Sequence, residues 1–86
     1  MDIGVEISLY PLKDDYVPQI HAFIEGLSRD QRLKVVTNSM STQVFGAFEV
    51  VMDALRGALG ASFAALGAEA QRAVFVMKVF GPLPAA

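Results

Sequence analysis

Polar side chains that could bind a small molecule lie in two short stretches of this sequence. Every residue from Thr37 to Gln43 except Met40 carries a hydroxyl or amide group. Near the N-terminus, Glu6, Ser8 and Tyr10 alternate with apolar residues. Such groups can orient a small, flat heteroaromatic ligand by hydrogen bonding and stacking, and a carboxylate would favour a cationic ring. The candidate ligand-binding residues are therefore Glu6, Ser8, Tyr10, Thr37, Asn38, Ser41, Thr42 and Gln43.

The same residues also have a purely structural interpretation. Asn and Ser are typical of tight turns because their side chains hydrogen-bond to nearby backbone groups. The outward face of an antiparallel sheet is commonly polar as well. The spacing alone therefore favours a solvated turn over a binding surface.

Residues suited to catalysis or metal binding are few and isolated. His21 is the only histidine and there is no cysteine, and we expect this histidine on the protein surface. Asp14 and Asp15 could hold a cation, but adjacent acids before a helix are more often capping and dipole residues. An enzyme that uses Glu6 or His21 as a base is a further hypothesis, but neither has a partner within a motif. We expect no catalytic residue, no metal site and no cofactor.

Composition limits the class of protein. The 86 residues form a single domain, 1–86, and 53% are hydrophobic, with a mean hydropathy of +0.43. This fraction is high for so small a domain, which predicts self-association. The net charge of -2 argues against binding to nucleic acid. No charge-free run reaches the roughly 20 residues of a membrane span and the N-terminus lacks the charge of an export signal, so we expect a cytoplasmic protein without membrane insertion.

The hydrophobic periodicity predicts four strands and two helices. Strict alternation predicts a strand from Ile3 to Tyr10, and two β-branched segments predict a hairpin that turns around Asn38 to Met40. An apolar final strand, residues 72–80, precedes a proline-rich tail at 81–86. Helical spacing predicts one helix from about Asp15 to about Ser28, with apolar residues Ile20, Phe23, Ile24 and Leu27. It predicts a second helix after Phe48, with apolar residues Met52, Leu55, Leu59, Phe63 and Leu66. Gly67 should end this second helix in left-handed geometry.

The order β-α-β-β-α-β predicts an α+β, ferredoxin-like sandwich. Short connections and right-handed crossovers close it into a four-stranded antiparallel sheet with both helices on one face. The first and third strands should lie in the centre and the fourth at an edge. Because the fourth strand is apolar on both faces from Ala73 to Val79, we expect a partner subunit to cover it.

Four segments carry a family resemblance. They are VEISLYPL (Val5 to Leu12), YVPQIHAFIEGL (Tyr16 to Leu27), TNSMSTQVFG (Thr37 to Gly46) and AVFVMKVF (Ala73 to Phe80). The most specific part is MSTQVFG, from Met40 to Gly46. In order and spacing these segments resemble the thiamine-binding YkoF-like family over nearly the whole chain.

The resemblance implies a domain that binds thiamine or its hydroxymethylpyrimidine moiety without turning it over, as a carrier or sensor linked to thiamine uptake or salvage. It implies that two such domains pair, here as a homodimer or homotetramer. The alternative is a ferredoxin-like regulatory module that binds another small metabolite at a subunit interface. With the resemblance, a binding surface becomes the favoured interpretation of the polar cluster. The positions that match the family are Ser8, Tyr10, Thr37, Asn38, Ser41, Thr42 and Gln43, to which Glu6 is added for charge complementarity.

Overall fold

The predicted order of strands and helices is confirmed over residues 1–84, which the computed structural model describes. The strands form one antiparallel sheet in the order β2-β3-β1-β4, so that β1 and β3 are central and β4 lies at an edge. Both helices pack on one face of this sheet, which gives the ferredoxin-like fold. The elements are β1 (Asp2–Pro11), α1 (Val17–Ser28), β2 (Lys34–Thr37), β3 (Thr42–Ala47), α2 (Phe48–Ala68) and β4 (Ala73–Leu83).

Alternation along β1 positions the core. Ile3, Val5 and Ile7 are almost fully buried, because every second side chain of the strand points toward the helices. Phe23 of α1 and Leu55 of α2 cover them from the helix layer. Burial of such a side chain contributes about 1.5 to 3 kcal/mol. The residues between them in β1 point to the opposite, open face of the sheet, which neither α1 nor α2 covers.

The start of α1 differs from the prediction. The helix begins at Val17, and its N-cap is Tyr16, which makes no side-chain capping hydrogen bond. Asp14 and Asp15 lie in the preceding bend, so their expected role as caps is wrong. Pro18, at the second helical position, explains the later start, because its fixed φ suits the first turn and it has no N–H that needs a partner.

The end of α2 also differs from the prediction. Gly67 is helical, and the residue with positive φ is Ala70, at 55°. The Gln71 N–H donates to the Leu66 carbonyl at 2.8 Å and the Ala70 N–H donates to the Gly67 carbonyl at 3.1 Å. These two bonds form a Schellman motif with alanine in the left-handed position that glycine usually takes.

The apolar stripe of α2 is rotated relative to the prediction. Leu55 and Leu66 are buried as expected, but Met52 is 39% and Phe63 51% exposed, next to β4. By length and composition α2 is the one helix in residues 1–84 that could span a membrane, with a mean hydropathy of 1.3. Its buried face packs against the sheet as a core helix does.

Strand β4 extends beyond its predicted end. It continues through Leu83, which pairs with Asp2, and so takes up part of the predicted proline-rich tail. Pro82 is tolerated there because β4 is an edge strand with one side free of ladder hydrogen bonds. Residues 85–86 of the predicted tail lie outside the described residues.

Candidate functional site

A cavity of about 440 Å³ opens between α1, the C-terminal end of β1 and the turn that joins β2 to β3. Its walls are largely apolar, with Ile7 and Leu9 from the sheet and Ile20, Phe23 and Ile24 from α1. Polar groups come from the ends of the strands and from the turn. The remaining lining residues are Ser8, Tyr10, Pro11, Tyr16, Thr37, Asn38, Ser39, Met40, Ser41 and Thr42.

Two threonine hydroxyls face each other at the cavity. Thr37 ends β2 and Thr42 begins β3, and the two residues are paired across the hairpin. Their Oγ1 atoms are 3.1 Å apart, at hydrogen-bonding distance. Thr42 is buried, 5% exposed, and lies opposite Ile7 of the central strand. One hydroxyl of this pair can donate to the other, which leaves one donor and several lone pairs for a ligand.

The turn at the cavity rim is held by Asn38. Its side-chain oxygen accepts from the backbone N–H groups of Met40, at 2.8 Å, and Ser41, at 3.1 Å. The Asn38 backbone N–H donates to the Ser41 carbonyl at 3.1 Å. Asn38 is therefore a turn-forming residue that also lines the cavity, so the turn interpretation of this segment is confirmed.

A second polar network lies on the open face of the sheet. The Ser41 hydroxyl donates to Glu6 Oε2 and accepts from Gln43 Nε2, both at 3.2 Å. Lys78 Nζ lies 3.9 Å from Glu6 Oε1. Because Glu6 pairs with Gln43 and with Lys78 in the sheet register, these three side chains share one face. The Glu6 carboxylate is thus engaged by protein groups.

The structure separates the eight candidate residues into two groups. Ser8, Tyr10, Thr37, Asn38, Ser41 and Thr42 line the cavity, whereas Glu6 and Gln43 do not. Ser41 joins the groups, since it lines the cavity and bonds to Glu6. The α1 residues of the cavity wall are not among the eight candidate residues. Ile20, Phe23 and Ile24 were recognised only as an apolar stripe, and an apolar stripe predicts packing without showing that one end of it borders a cavity.

Groups suited to catalysis stay apart from one another. His21 is exposed on α1, and within residues 1–84 no cluster of three or more His, Cys, Asp or Glu side chains could hold a metal ion. The ion pair of Arg32 with Asp30, at 2.7 Å, lies in the loop between α1 and β2. Hydrogen bonds from Arg32 lower the pKa of Asp30 to about 2. This perturbed carboxyl is outside the cavity.

A sequence comparison assigns nearly the whole chain to one family. The sequence model of the YKOF-related family matches residues 2–79. The match includes all eight candidate residues and all but the last part of β4. Among curated proteins, none is similar to this chain at a significant level.

Solved structures from three organisms have a similar fold. A hypothetical protein from Methanocaldococcus jannascii is 22% identical, with a TM-score of 0.79 over 99% of this chain and 84% of its own. A Thermotoga maritima protein whose name assigns it provisionally to thiamine biosynthesis or salvage is 21% identical, with a TM-score of 0.80 over 95% of this chain and 85% of its own. A Streptococcus pneumoniae protein is 18% identical, with a TM-score of 0.81 over 96% of this chain and 89% of its own. At these identities the likeness concerns the fold.

Proposed function

Because this chain belongs to the YKOF-related family, we propose that it binds thiamine or its hydroxymethylpyrimidine moiety in the cavity between α1 and the β2-β3 turn. The observation that carries the proposal is the Thr37 and Thr42 hydroxyl pair beside apolar walls. The name of the Thermotoga maritima neighbour supports a thiamine-related ligand. We restrict the proposed contacts to the six candidate residues that line the cavity.

The chemistry of an aminopyrimidine matches this arrangement. Its ring faces are flat and apolar, and suit the Ile20 and Phe23 side of the cavity. Its edge carries a ring nitrogen that accepts a hydrogen bond beside an exocyclic amine that donates one. Two adjacent hydroxyls can supply both a donor and an acceptor to such an edge. The threonine pair would therefore fix the orientation of the ring while the apolar walls provide most of the contact area.

Binding without turnover is the proposed activity. A hydroxyl nucleophile needs an adjacent general base to activate it, and the fifteen residues that line the cavity include no His, Lys, Asp or Glu. A protein of this kind would act as a carrier or sensor in thiamine uptake or salvage.

Calorimetry on ligand-free protein tests the proposal. The chain is unfolded, dialysed and refolded to remove any bound molecule, and is then titrated with thiamine and with hydroxymethylpyrimidine. We expect saturable binding of at least one of them at one site per chain. Absence of binding to both, in protein whose circular dichroism shows that it has refolded, would refute the function.

We also propose that two copies pair through β4 as a homodimer, which could associate further into a homotetramer. Leu12 N–H donates to the Arg72 carbonyl at 2.8 Å, next to the pair Pro11 and Ala73. Ladder hydrogen bonds alternate along an antiparallel pair, so Phe75, Met77 and Val79 direct their backbone N–H and C=O groups away from β1. This outer edge is available for pairing with another strand.

The lengths of the strands favour pairing of β4 with β4. Strand β4 has 11 residues, whereas β2, at the other edge, has 4. An antiparallel pairing with its two-fold axis at Met77 would place Phe75 opposite Val79 of the second copy and Lys78 opposite Val76. The two Lys78 side chains would not oppose each other. The exposed apolar side chains Val76 (50%), Met77 (42%) and Val79 (54%) would lie within this interface.

The substitution Met77→Lys tests the dimer, because it would place two ammonium groups at the axis. We expect size-exclusion chromatography with light scattering to give a dimer for the unmodified protein and a monomer for this variant. Val36→Lys makes the same change on the other edge strand and should leave the dimer intact. A monomeric unmodified protein, or dimers in both variants, would refute pairing through β4.

A second candidate function is binding of another metabolite at this interface. A groove of about 380 Å³ runs beside β4, lined by apolar residues of α2 and by Met77, Val79 and Arg56. A second copy would enclose it. Native mass spectrometry of freshly purified protein distinguishes the two functions, since a co-purified mass unrelated to thiamine, retained by a Thr42→Val variant and lost from Met77→Lys, would favour the groove.

A further inference from the structure

We infer that the cavity selects the free hydroxymethyl alcohol of its pyrimidine ligand over the phosphate ester of that alcohol. The inference rests on the proposed function and names the chemical form of the ligand. None of the fifteen residues that line the cavity has a formally charged side chain. A phosphate group would bring about -1.5 to -2 charges into this space at neutral pH.

The surroundings of the cavity do not compensate for such a charge. Lys13, the nearest cation in sequence, is held by Glu69 at 3.0 Å. The N-terminus of α1 has a positive dipole end near Tyr16, but the exposed residues Asp14 and Asp15 directly precede it. Their two negative charges offset the half charge of the dipole. Lys78, on the open face of the sheet, lies 3.9 Å from the Glu6 carboxylate, which offsets its charge. Within residues 1–84, no cationic side chain lines the cavity.

The position of the phosphate in the ligand decides how strongly it is rejected. In the phosphate ester of hydroxymethylpyrimidine, the phosphate is one carbon from the ring. If the pyrimidine ring hydrogen-bonds to the Thr37 and Thr42 hydroxyls, this phosphate lies inside the apolar cavity. There the phosphate loses its hydration without gaining a cationic partner, which is strongly unfavourable. In thiamine monophosphate the phosphate lies beyond the thiazolium ring and can stay in solvent at the mouth. The loss of affinity caused by the phosphate should therefore be large for hydroxymethylpyrimidine monophosphate and small for thiamine monophosphate.

This selectivity has a consequence for where the protein acts. A protein that holds the free alcohol and rejects its ester works before the phosphoryl transfer that converts one into the other. The ligand would be supplied by import or by hydrolytic release of the pyrimidine, and consumed by a kinase. A protein that acted after that step would need a cation where this cavity has none.

Isothermal titration of refolded protein tests the inference with two matched pairs: hydroxymethylpyrimidine against its monophosphate, and thiamine against thiamine monophosphate. We expect the first pair to differ in affinity by about 100-fold or more, given the several kcal/mol that burial of an unpaired ion costs. The second pair should differ by less than about tenfold. Equal affinities in the first pair would overturn the inference and leave the proposed function intact, whereas absence of binding by all four compounds would overturn both.

A variant with one added lysine at the cavity tests whether a local positive charge or the net charge of the protein controls the selectivity. Met40 lines the cavity and is 83% exposed, so Met40→Lys adds a cation at the mouth with little effect on folding. We expect it to improve binding of hydroxymethylpyrimidine monophosphate, relative to binding of the alcohol by the same variant, by at least tenfold. Gln31→Lys adds the same charge away from the cavity and should leave this ratio of affinities unchanged. Equal gains in both variants would show that net charge controls the selectivity, against the inference.

Discussion

The substitution Thr42→Val is the most direct perturbation of the proposed binding site. It replaces a hydroxyl by a methyl group of similar size at a residue that is 5% exposed. The variant keeps the apolar contacts with its neighbours but loses the partner that lies 3.1 Å from the Thr37 hydroxyl. Thr37 itself is exposed, so its hydroxyl can turn to water when no ligand is present. The free energy of unfolding should consequently change by less than about 1 kcal/mol.

The ligand should lose considerably more. With one hydroxyl removed, a polar atom on the edge of the ring is left without a partner in a largely apolar cavity, which costs about 1 to 3 kcal/mol. This corresponds to roughly 5- to 150-fold weaker binding. Isothermal titration of the unmodified protein and the variant measures the ratio of dissociation constants directly.

A matched control is available on α2. Ser62 is a buried hydroxyl residue, 9% exposed, that does not line the cavity. Ser62→Ala should leave the dissociation constant of the ligand unchanged, whatever it does to stability. The same affinity in Thr42→Val and in unmodified protein would refute the assignment of the hydroxyl pair as a ligand contact. A changed oligomeric state in Thr42→Val would instead show that the polar cluster is an interface.

Two further predictions concern stability. Ala70→Gly should raise the free energy of unfolding by up to about 1 kcal/mol, because Ala70 has a φ of 55° and left-handed geometry disfavours a Cβ. As a control, Ala64→Gly inside α2 should lower the free energy of unfolding by about the same amount. If chemical denaturation showed that both changes are destabilising, this account of the Schellman motif would be contradicted. Asp30→Asn should lower stability at neutral pH, because Arg32 stabilises the carboxylate form of Asp30 and lowers its pKa from 3.8 to about 2. The contribution of this carboxylate to the free energy of unfolding is present above about pH 4 and is lost as the pH falls to about 2. Thermal melts of the two proteins should therefore converge near pH 2, and a difference that persisted below pH 2 would show another cause.

Periodicity was sufficient for the fold because each element has one buried face. The alternation of Ile3, Val5 and Ile7 predicted the central strand, and the helical spacing of Phe23 and Leu27 predicted the packing of α1. The ends of the helices were less predictable. Two acids before a helix do not act as caps when a proline already sets the first turn, and a C-terminal glycine does not end a helix when the left-handed residue falls three positions later.

The site was predictable as a segment but not as a set of side chains. The sequence placed Thr42 and Gln43 in one polar cluster, yet neighbouring residues of a strand point to opposite faces. Which of the two meets the cavity depends on the register of the hairpin, in which Thr37 pairs with Thr42. The register in turn depends on a four-residue turn that Asn38 closes. The cavity wall from α1 required the three-dimensional arrangement, because local sequence cannot show where a helix leaves the sheet surface uncovered.

Hydrogen bonds connect the open-face residue Glu6 to the turn at the cavity rim, even though Glu6 does not line the cavity. Asn38 holds the turn from within, and Glu6 of the central strand holds it from outside through Ser41, at 3.2 Å. A rim restrained at both points loses little conformational freedom when a ligand binds. If the proposed ligand binds in this cavity, Glu6 would be a positioning residue that acts through Ser41, and its place beside the site would not require charge complementarity to the ligand.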